Sequence, residues 1–306
     1  MPLVYACVAP HGEPIIPPLV KPAERKKYLP TTRAMQQLSR EVRAQRPDII
    51  VIATPHNLRL RGHVGVVIAE NASGTLPMFE RGPAKLTIRV KTDLDFADAL
   101  LAEARRRGVP TVGANYATAS GRYSNMPLDW GTLVPLWFFV RGHRATPKVV
   151  VVTPSREIPL RQNVRFGTII ANVAARSRKR VVFVASADHA HAHRKSGPYG
   201  FSPAAARYDA LMVAAVREDN LRAVLGIKPE LVAKAKPDSL WQMAMLTGVT
   251  QQVGMRAELL SYDVPTYYGM ICAAVRRSGG QDPEVDLRVG RSTPTGGTSE
   301  GVRFTL

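Results

Sequence analysis

Short, unbroken apolar runs rich in Val and Ile recur along this chain, separated by stretches with helical spacing, and this alternation limits its folds more than any other feature. The runs cover residues 3–9, 48–53, 65–68, 85–90, 148–152, 180–185, 256–262 and 269–275. A strand wetted on one side alternates apolar with polar residues, so continuous runs predict strands covered on both faces. Between them, Met35, Leu38 and Val42 share a helical face that Thr31 or Thr32 would cap and Pro47 would end. Ala97, Leu100, Leu101 and Ala104 repeat the pattern after Thr92 and Asp93, closing at Gly108. Further helices are expected over 160–175, 202–225 and 238–253. The order of elements predicts an α/β protein with a mixed or parallel central sheet flanked by helices. No internal repeat or long linker divides residues 1–275, which read as one domain. Residues 276–306 are rich in Gly, Ser, Thr and Pro without apolar periodicity, as in a surface tail or a partner-contacting element.

The charge balance is strongly basic, with 42 Lys and Arg against 24 Asp and Glu among 306 residues, a net +18. Much of the excess falls in short clusters such as Arg105 to Arg107 and Arg176 to Arg180, where the helix macrodipole favours cations. Zinc-finger spacing and an RNP-like aromatic motif are both missing, so no specific nucleic-acid partner is expected. Cys7 and Cys272 lie in apolar runs, which marks them as buried, inert thiols. With no basic leader and no apolar window of about 18 residues, the expectation is a cytoplasmic chain without membrane contact.

The seven histidines carry most of the chemical information. His11 follows the first strand in Ala9-Pro10-His11-Gly12, and His56 follows the second in Thr54-Pro55-His56-Asn57. Residues just past strand C-termini line the crevice of an open α/β sheet. Two Pro-His steps in matching contexts therefore put two imidazoles on one edge, and neutral imidazole is the commonest transition-metal ligand. A third cluster, Asp188-His189-Ala190-His191-Ala192-His193, follows the strand at 180–185. An extended segment would set all three rings on one face, and a helix only His189 with His193. One of them working as an acid and base is the favoured functional reading.

The chain resembles the catalytic subunits of class III extradiol aromatic ring-opening dioxygenases, the protocatechuate 4,5-dioxygenase beta-subunit superfamily. Over about 270 residues, the motifs that carry the resemblance are Pro10-His11-Gly12, Pro47-Asp48-Ile49-Ile50-Val51 with Pro55-His56, and Leu128-Asp129-Trp130-Gly131 with Val134-Pro135-Leu136. They continue in Ala185-Ser186-Ala187-Asp188 to His191, Gly197-Pro198-Tyr199-Gly200-Phe201 with Asp209, and Leu260-Ser261-Tyr262-Asp263 with Tyr268-Gly269.

The resemblance implies that His11 and His56 ligate a non-haem Fe(II), with Mn or Zn as alternatives, and that His191 is the acid/base. Trp130, His189 and Tyr199 would face a catechol-type substrate, with or without a carboxylate, beside O2. It also implies a homo-oligomer, with or without a small second subunit. The third ligand of the family is a glutamate in the late helix. Asp238 is the nearest carboxylate here, although Asp at a helix start is also a common cap, and Glu230 and Glu13 are more distant alternatives. Trp130 stands where the family usually has a histidine, and indole offers only an N–H donor and a large face. Arg194 or Lys195 would meet a substrate anion. These departures leave a second expectation open, a dioxygenase fold without oxygenase activity that binds a metal, ligand or partner.

Overall fold

The computed structural model describes residues 3–76 and 86–277. In chain order its strands are β1 (Leu3–Ala9), β2 (Ile49–Ala53), β3 (Val64–Val67), β4 (Asn71–Leu76), β5 (Leu86–Lys91), β6 (Thr111–Ala114), β7 (Asn125–Pro127), β8 (Lys148–Thr153), β9 (Val181–Ser186), β10 (Met255–Asp263) and β11 (Met270–Arg277). The helices are α1 (Arg25–Ala44), α2 (Leu94–Arg106), α3 (Trp130–Phe139), α4 (Leu160–Ser177), α5 (Pro203–Arg217), α6 (Pro229–Ala235) and α7 (Leu240–Gln251).

Eight strands form one sheet in the order β10-β11-β1-β9-β2-β8-β3-β6. Its centre, β1-β9-β2-β8, is parallel throughout, and these are the strands with continuous apolar sequences. β3 and β11 join antiparallel on either side. Successive side chains of a strand point to opposite faces, so each central strand feeds two cores. Val8, Val51, Val152 and Phe183 pack with α2, α4, α5 and α7, while Cys7, Ile52, Val151 and Val184 pack with α1 and α3. A second sheet, β5-β4-β7, lies on the α1/α3 side. The result is a single mixed α/β domain, and no helix among the described residues is long and apolar enough to cross a membrane.

Several expected boundaries change. α1 begins at Arg25 and runs through Pro30, so Thr31 and Thr32 are interior residues. Their hydroxyls donate to Asp263 Oδ2 (3.4 Å) and Ile15 O (3.0 Å), serving tertiary contacts instead of a cap. The helix expected over 202–225 ends at Arg217; Asp219 then turns left-handed at φ +55°, and a 3-10 turn covers Leu221–Gly226. Asp93 does cap α2, accepting from the Phe96 amide at 3.1 Å. β11 extends through Arg276 and Arg277, two residues into the expected tail; the rest of that tail, 278–306, lies outside the described residues.

Helices α4 and α7 meet at a pair of glycines. A Cβ added at Gly167 would lie 1.9 Å from Met245 O, and one at Gly248 would lie 1.9 Å from Val164 O. The two backbones therefore touch, and this contact, with the bonds of Ser239 to Tyr208 and of Gln242 to Ser186 O, positions α7 and Asp238 just ahead of it.

Candidate metal centre and substrate cavity

The C-terminal ends of β1, β2, β8 and β9 share one edge of the sheet, and each is followed within a few residues by a side chain of one cavity. β1 leads to His11, β2 to His56, β8 to Arg156, and β9 to Asp188 and His191. Asp238 comes from ahead of α7. The cavity encloses about 600 Å³, ample for a small substituted ring.

On its floor, Asp238 Oδ2 lies 3.3 Å from His11 Nε2 and 3.4 Å from His56 Nε2. One ligand atom from each of these three residues falls within 4.8 Å of the other two. Hydrogen bonds with neighbouring groups hold two of the three donors, His11 and Asp238. The Ser186 hydroxyl donates to Gly131 O, so its oxygen is free to accept from His11 Nδ1 at 3.0 Å. That hydrogen bond places a proton on Nδ1 and turns Nε2 toward the other two residues. The other oxygen of Asp238 accepts from the Asp188 backbone N–H at 3.2 Å, leaving only Oδ2 in the centre. Asp238 does not cap α7: Ser239 occupies that position and makes no side-chain cap bond.

The electrostatics reflect burial and proximity. Burial works to lower the His11 pKa, but Asp188, 3.5 Å from Nε2, and then Asp238 outweigh it and hold the imidazole at about 9. Burial would raise Asp238, yet His11 and then His56 and His191 hold its carboxyl well below the usual range. Asp188 is raised, because burial exceeds the pull of His11. In a metal-free centre the two carboxylates thus favour the cationic form of His11. Two imidazoles and a carboxylate are a fitting set for a divalent ion of the iron, manganese or zinc type.

His191 stands at the rim of this set, its Nε2 3.8 Å from Asp238 Oδ2. Its ring stacks on Tyr268 at 5.4 Å and meets Tyr199 and Tyr267 edge-on or tilted at 5.6 and 5.9 Å. Its backbone N–H donates to Ala235 O. Trp130, the first residue of α3, tilts against His56 at 4.4 Å and forms a half-exposed wall. Gly131 permits this approach, since a Cβ there would lie 2.9 Å from His56 Cδ2 and 2.6 Å from Thr54 Oγ1.

Residues 5–272 match the family described as the catalytic LigB subunit of aromatic ring-opening dioxygenase. The chain belongs to that family. A curated relative, protein CA_C1420 of Clostridium acetobutylicum, is 26% identical over 254 residues, 83% of this chain and 53% of its own length. The chain thus spans about half the length of the curated relative it matches. Among solved structures, the uncharacterized protein JW3007 of Escherichia coli K12 shares the fold. It has a TM-score of 0.56 and 16% identity, with 89% of this chain and 99% of that one covered.

Within this LigB-type fold the three histidines of the β9 loop part company, contrary to the one-face arrangement of an extended segment. His191 enters the cavity. His193 bonds Asp209 Oδ2 at 2.8 Å, a carboxylate that also accepts from Tyr262 and from the Ala190 amide. His189, expected beside the substrate, is wholly buried away from the cavity and kept neutral by burial at about 4. Tyr199 does line the cavity. Arg194 does not; its guanidinium donates to Pro265 O. Of the alternative carboxylates, Glu13 lies on the wall and Glu230 does not. Sequence reasoning missed Ser186 as the His11 anchor, and the cations Arg59, Arg156 and Lys236. Ser186 sits in a quoted motif with its role unassigned, and nothing local marks the other three.

Proposed function

We propose that this chain is an extradiol ring-opening dioxygenase that joins O2 to a catechol-type aromatic substrate at a non-haem Fe(II) held by His11, His56 and Asp238. The observation that carries the proposal is the meeting of two imidazoles and one carboxylate on the floor of a 600 Å³ cavity, with a third imidazole beside them. Bound there, the metal would bring diol and O2 together and pass electrons between them, chemistry no side chain supplies.

The protein's own groups would do the rest. The Ser186 hydroxyl fixes the His11 tautomer, and the Asp188 amide fixes the Asp238 rotamer. His191, held against Tyr268, takes a proton at a ring nitrogen as the diol docks and returns it during ring opening. Trp130 supplies an apolar face for the substrate ring and excludes water, without any capacity to accept a proton. That last feature favours a second reading, a LigB-fold protein that binds metal without oxygenase activity, because no acid or base stands on the wall Trp130 forms.

The test is oxygen uptake by anaerobically Fe(II)-loaded protein across catechols, protocatechuate, gallate and 2-aminophenols, read with absorbance of the yellow product. Uptake should match product. His11→Ala and His56→Ala should lose iron and uptake together, whereas His191→Ala should keep iron and lose about 10²- to 10⁴-fold in rate. Stoichiometric iron binding with no uptake on any substrate would favour the second reading. Normal turnover by His191→Ala would refute its acid/base role.

A further inference from the structure

Above the metal-ligand floor, the cavity wall carries three cations, Arg59, Arg156 and Lys236. The loop between β8 and α4 holds Arg156 in place. Buried Asn163 on α4 donates to Ser155 O at 2.9 Å, and the guanidinium lies 4.5 Å over the Trp241 ring. Burial lowers the pKa of this arginine, so its charge is partly desolvated, yet it forms no ion pair among the described residues. The adjacent Glu157 turns elsewhere, accepting from the Ser155 hydroxyl and lying 3.9 Å from Arg59. Lys236, two residues before Asp238 in a left-handed turn at φ +56°, is likewise unpaired among the described residues. Besides Asp188 and Asp238, the described cavity lining carries one further carboxylate, Glu13, whose pKa burial raises.

A half-buried guanidinium stacked on an indole, which Asp238 and Glu157 reach only through longer-range attraction and which no described carboxylate pairs directly, has donors left for a ligand. Arginine's planar fork matches a carboxylate bidentately, and such charge-assisted bonds are the strong ones. We propose that Arg156, stacked on Trp241 and supported by Arg59 and Lys236, is the recognition site for a carboxylate on the aromatic ligand of this cavity. The proposal rests on the ring-opening reading only for the rest of the ligand's identity. Arg156 selects the anionic substituent and leaves the opposite edge of the ring toward the floor. Arg59 and Lys236, being more exposed, draw the anion in and hold it less firmly.

Binding to the metal-free full-length chain separates this proposal from ring opening. Benzoate and the isosteric, uncharged benzamide are titrated against tryptophan fluorescence, since Trp130 and Trp241 both line the cavity. Benzoate should bind on the order of tenfold or more tighter than benzamide. Arg156→Gln should remove that preference, weakening benzoate far more than benzamide. Arg156→Lys, which keeps the charge but not the fork, should restore it only in part. Arg59→Gln and Lys236→Gln should each weaken benzoate only about two- to threefold, with the effect fading as salt rises. Equal affinity for the two probes, or an unchanged preference in both Arg156 variants, would overturn the proposal. Selective benzoate binding in a protein without oxygen uptake would leave this site standing and remove the dioxygenase reading alone.

Discussion

Gly248→Ala tests whether the α4/α7 contact really sets the metal centre. The added methyl would lie 1.9 Å from Val164 O, 2.8 Å from Val164 C and 2.9 Å from Thr168 N, all backbone atoms that no rotamer change can move. Ordinary contact begins near 3.4 Å, so the helices must part by about 1.5 Å. Overpacking of this kind costs roughly 3 kcal/mol, and the better helix propensity of alanine returns about 1 kcal/mol. The net loss of about 2 kcal/mol corresponds to a fall of about 3 °C in Tm for a chain this large. Because Asp238 precedes α7 directly, the same displacement acts on contacts of 3.3 and 3.4 Å to His11 and His56. Zinc affinity, measured by competition with a chromophoric chelator, should therefore fall at least tenfold. Gln251→Ala, on the exposed last turn of α7, serves as control and should change Tm by less than about 1 °C. A Gly248→Ala protein that melts with the wild type and keeps its zinc affinity would refute the packing argument.

Two further outcomes concern the centre itself. Ser186→Ala removes the acceptor for His11 Nδ1 and leaves Gly131 O unpaired, so the metal should bind about 10- to 100-fold more weakly in an otherwise folded chain, measured by the same competition. In the metal-free chain His11 is raised from 6.5 to about 9, so the stability it contributes is complete below pH 6.5 and lost as pH climbs through 9. At about 1.4 kcal/mol per unit this is roughly 3 kcal/mol. Tm of the metal-free protein should fall across that window, and apparent zinc affinity should rise up to about tenfold per pH unit within it. A flat Tm and a pH-independent affinity would show that no such proton competes with the metal.

The central sheet was legible because burial on both faces leaves a local signature: β1, β2, β8 and β9 are apolar on both faces along nearly their whole length, with Lys148, Thr153 and Ser186 only at strand ends. β4 (Asn71–Leu76) left none because Asn, Ser, Gly and Thr fill most of it, and β7 (Asn125–Pro127) owes its strand state to β4, distant in the chain. α3 was missed for the opposite reason, being apolar nearly all round and interrupted by Pro135, so no helical stripe appears. Pro30 inside α1 likewise hid the start of that helix behind two threonines that resemble caps.

At the site, the positions of His11 and His56 were determined by the sequence itself. A Pro-His step after a buried strand lands on the C-terminal edge of the sheet whatever the rest of the chain does. Which of His189, His191 and His193 enters the cavity was not written locally, because the loop is neither regular strand nor helix and Asp209, well along the chain on α5, draws His193 away from the cavity. The role of Asp238 likewise waited for tertiary structure. A carboxylate before a helix caps it by default, and the packing of α7 on α4 at Gly248 and Gly167, with the bonds of Ser239 to Tyr208, Gln242 to Ser186 O and Asp238 to the Asp188 amide, brings this one to two imidazoles. Short-range patterning determined the layers and the catalytic edge. Contacts between residues dozens to hundreds of positions apart decided the centre, since cation and anion recognition depend on convergence in space and not on neighbourhood in the chain.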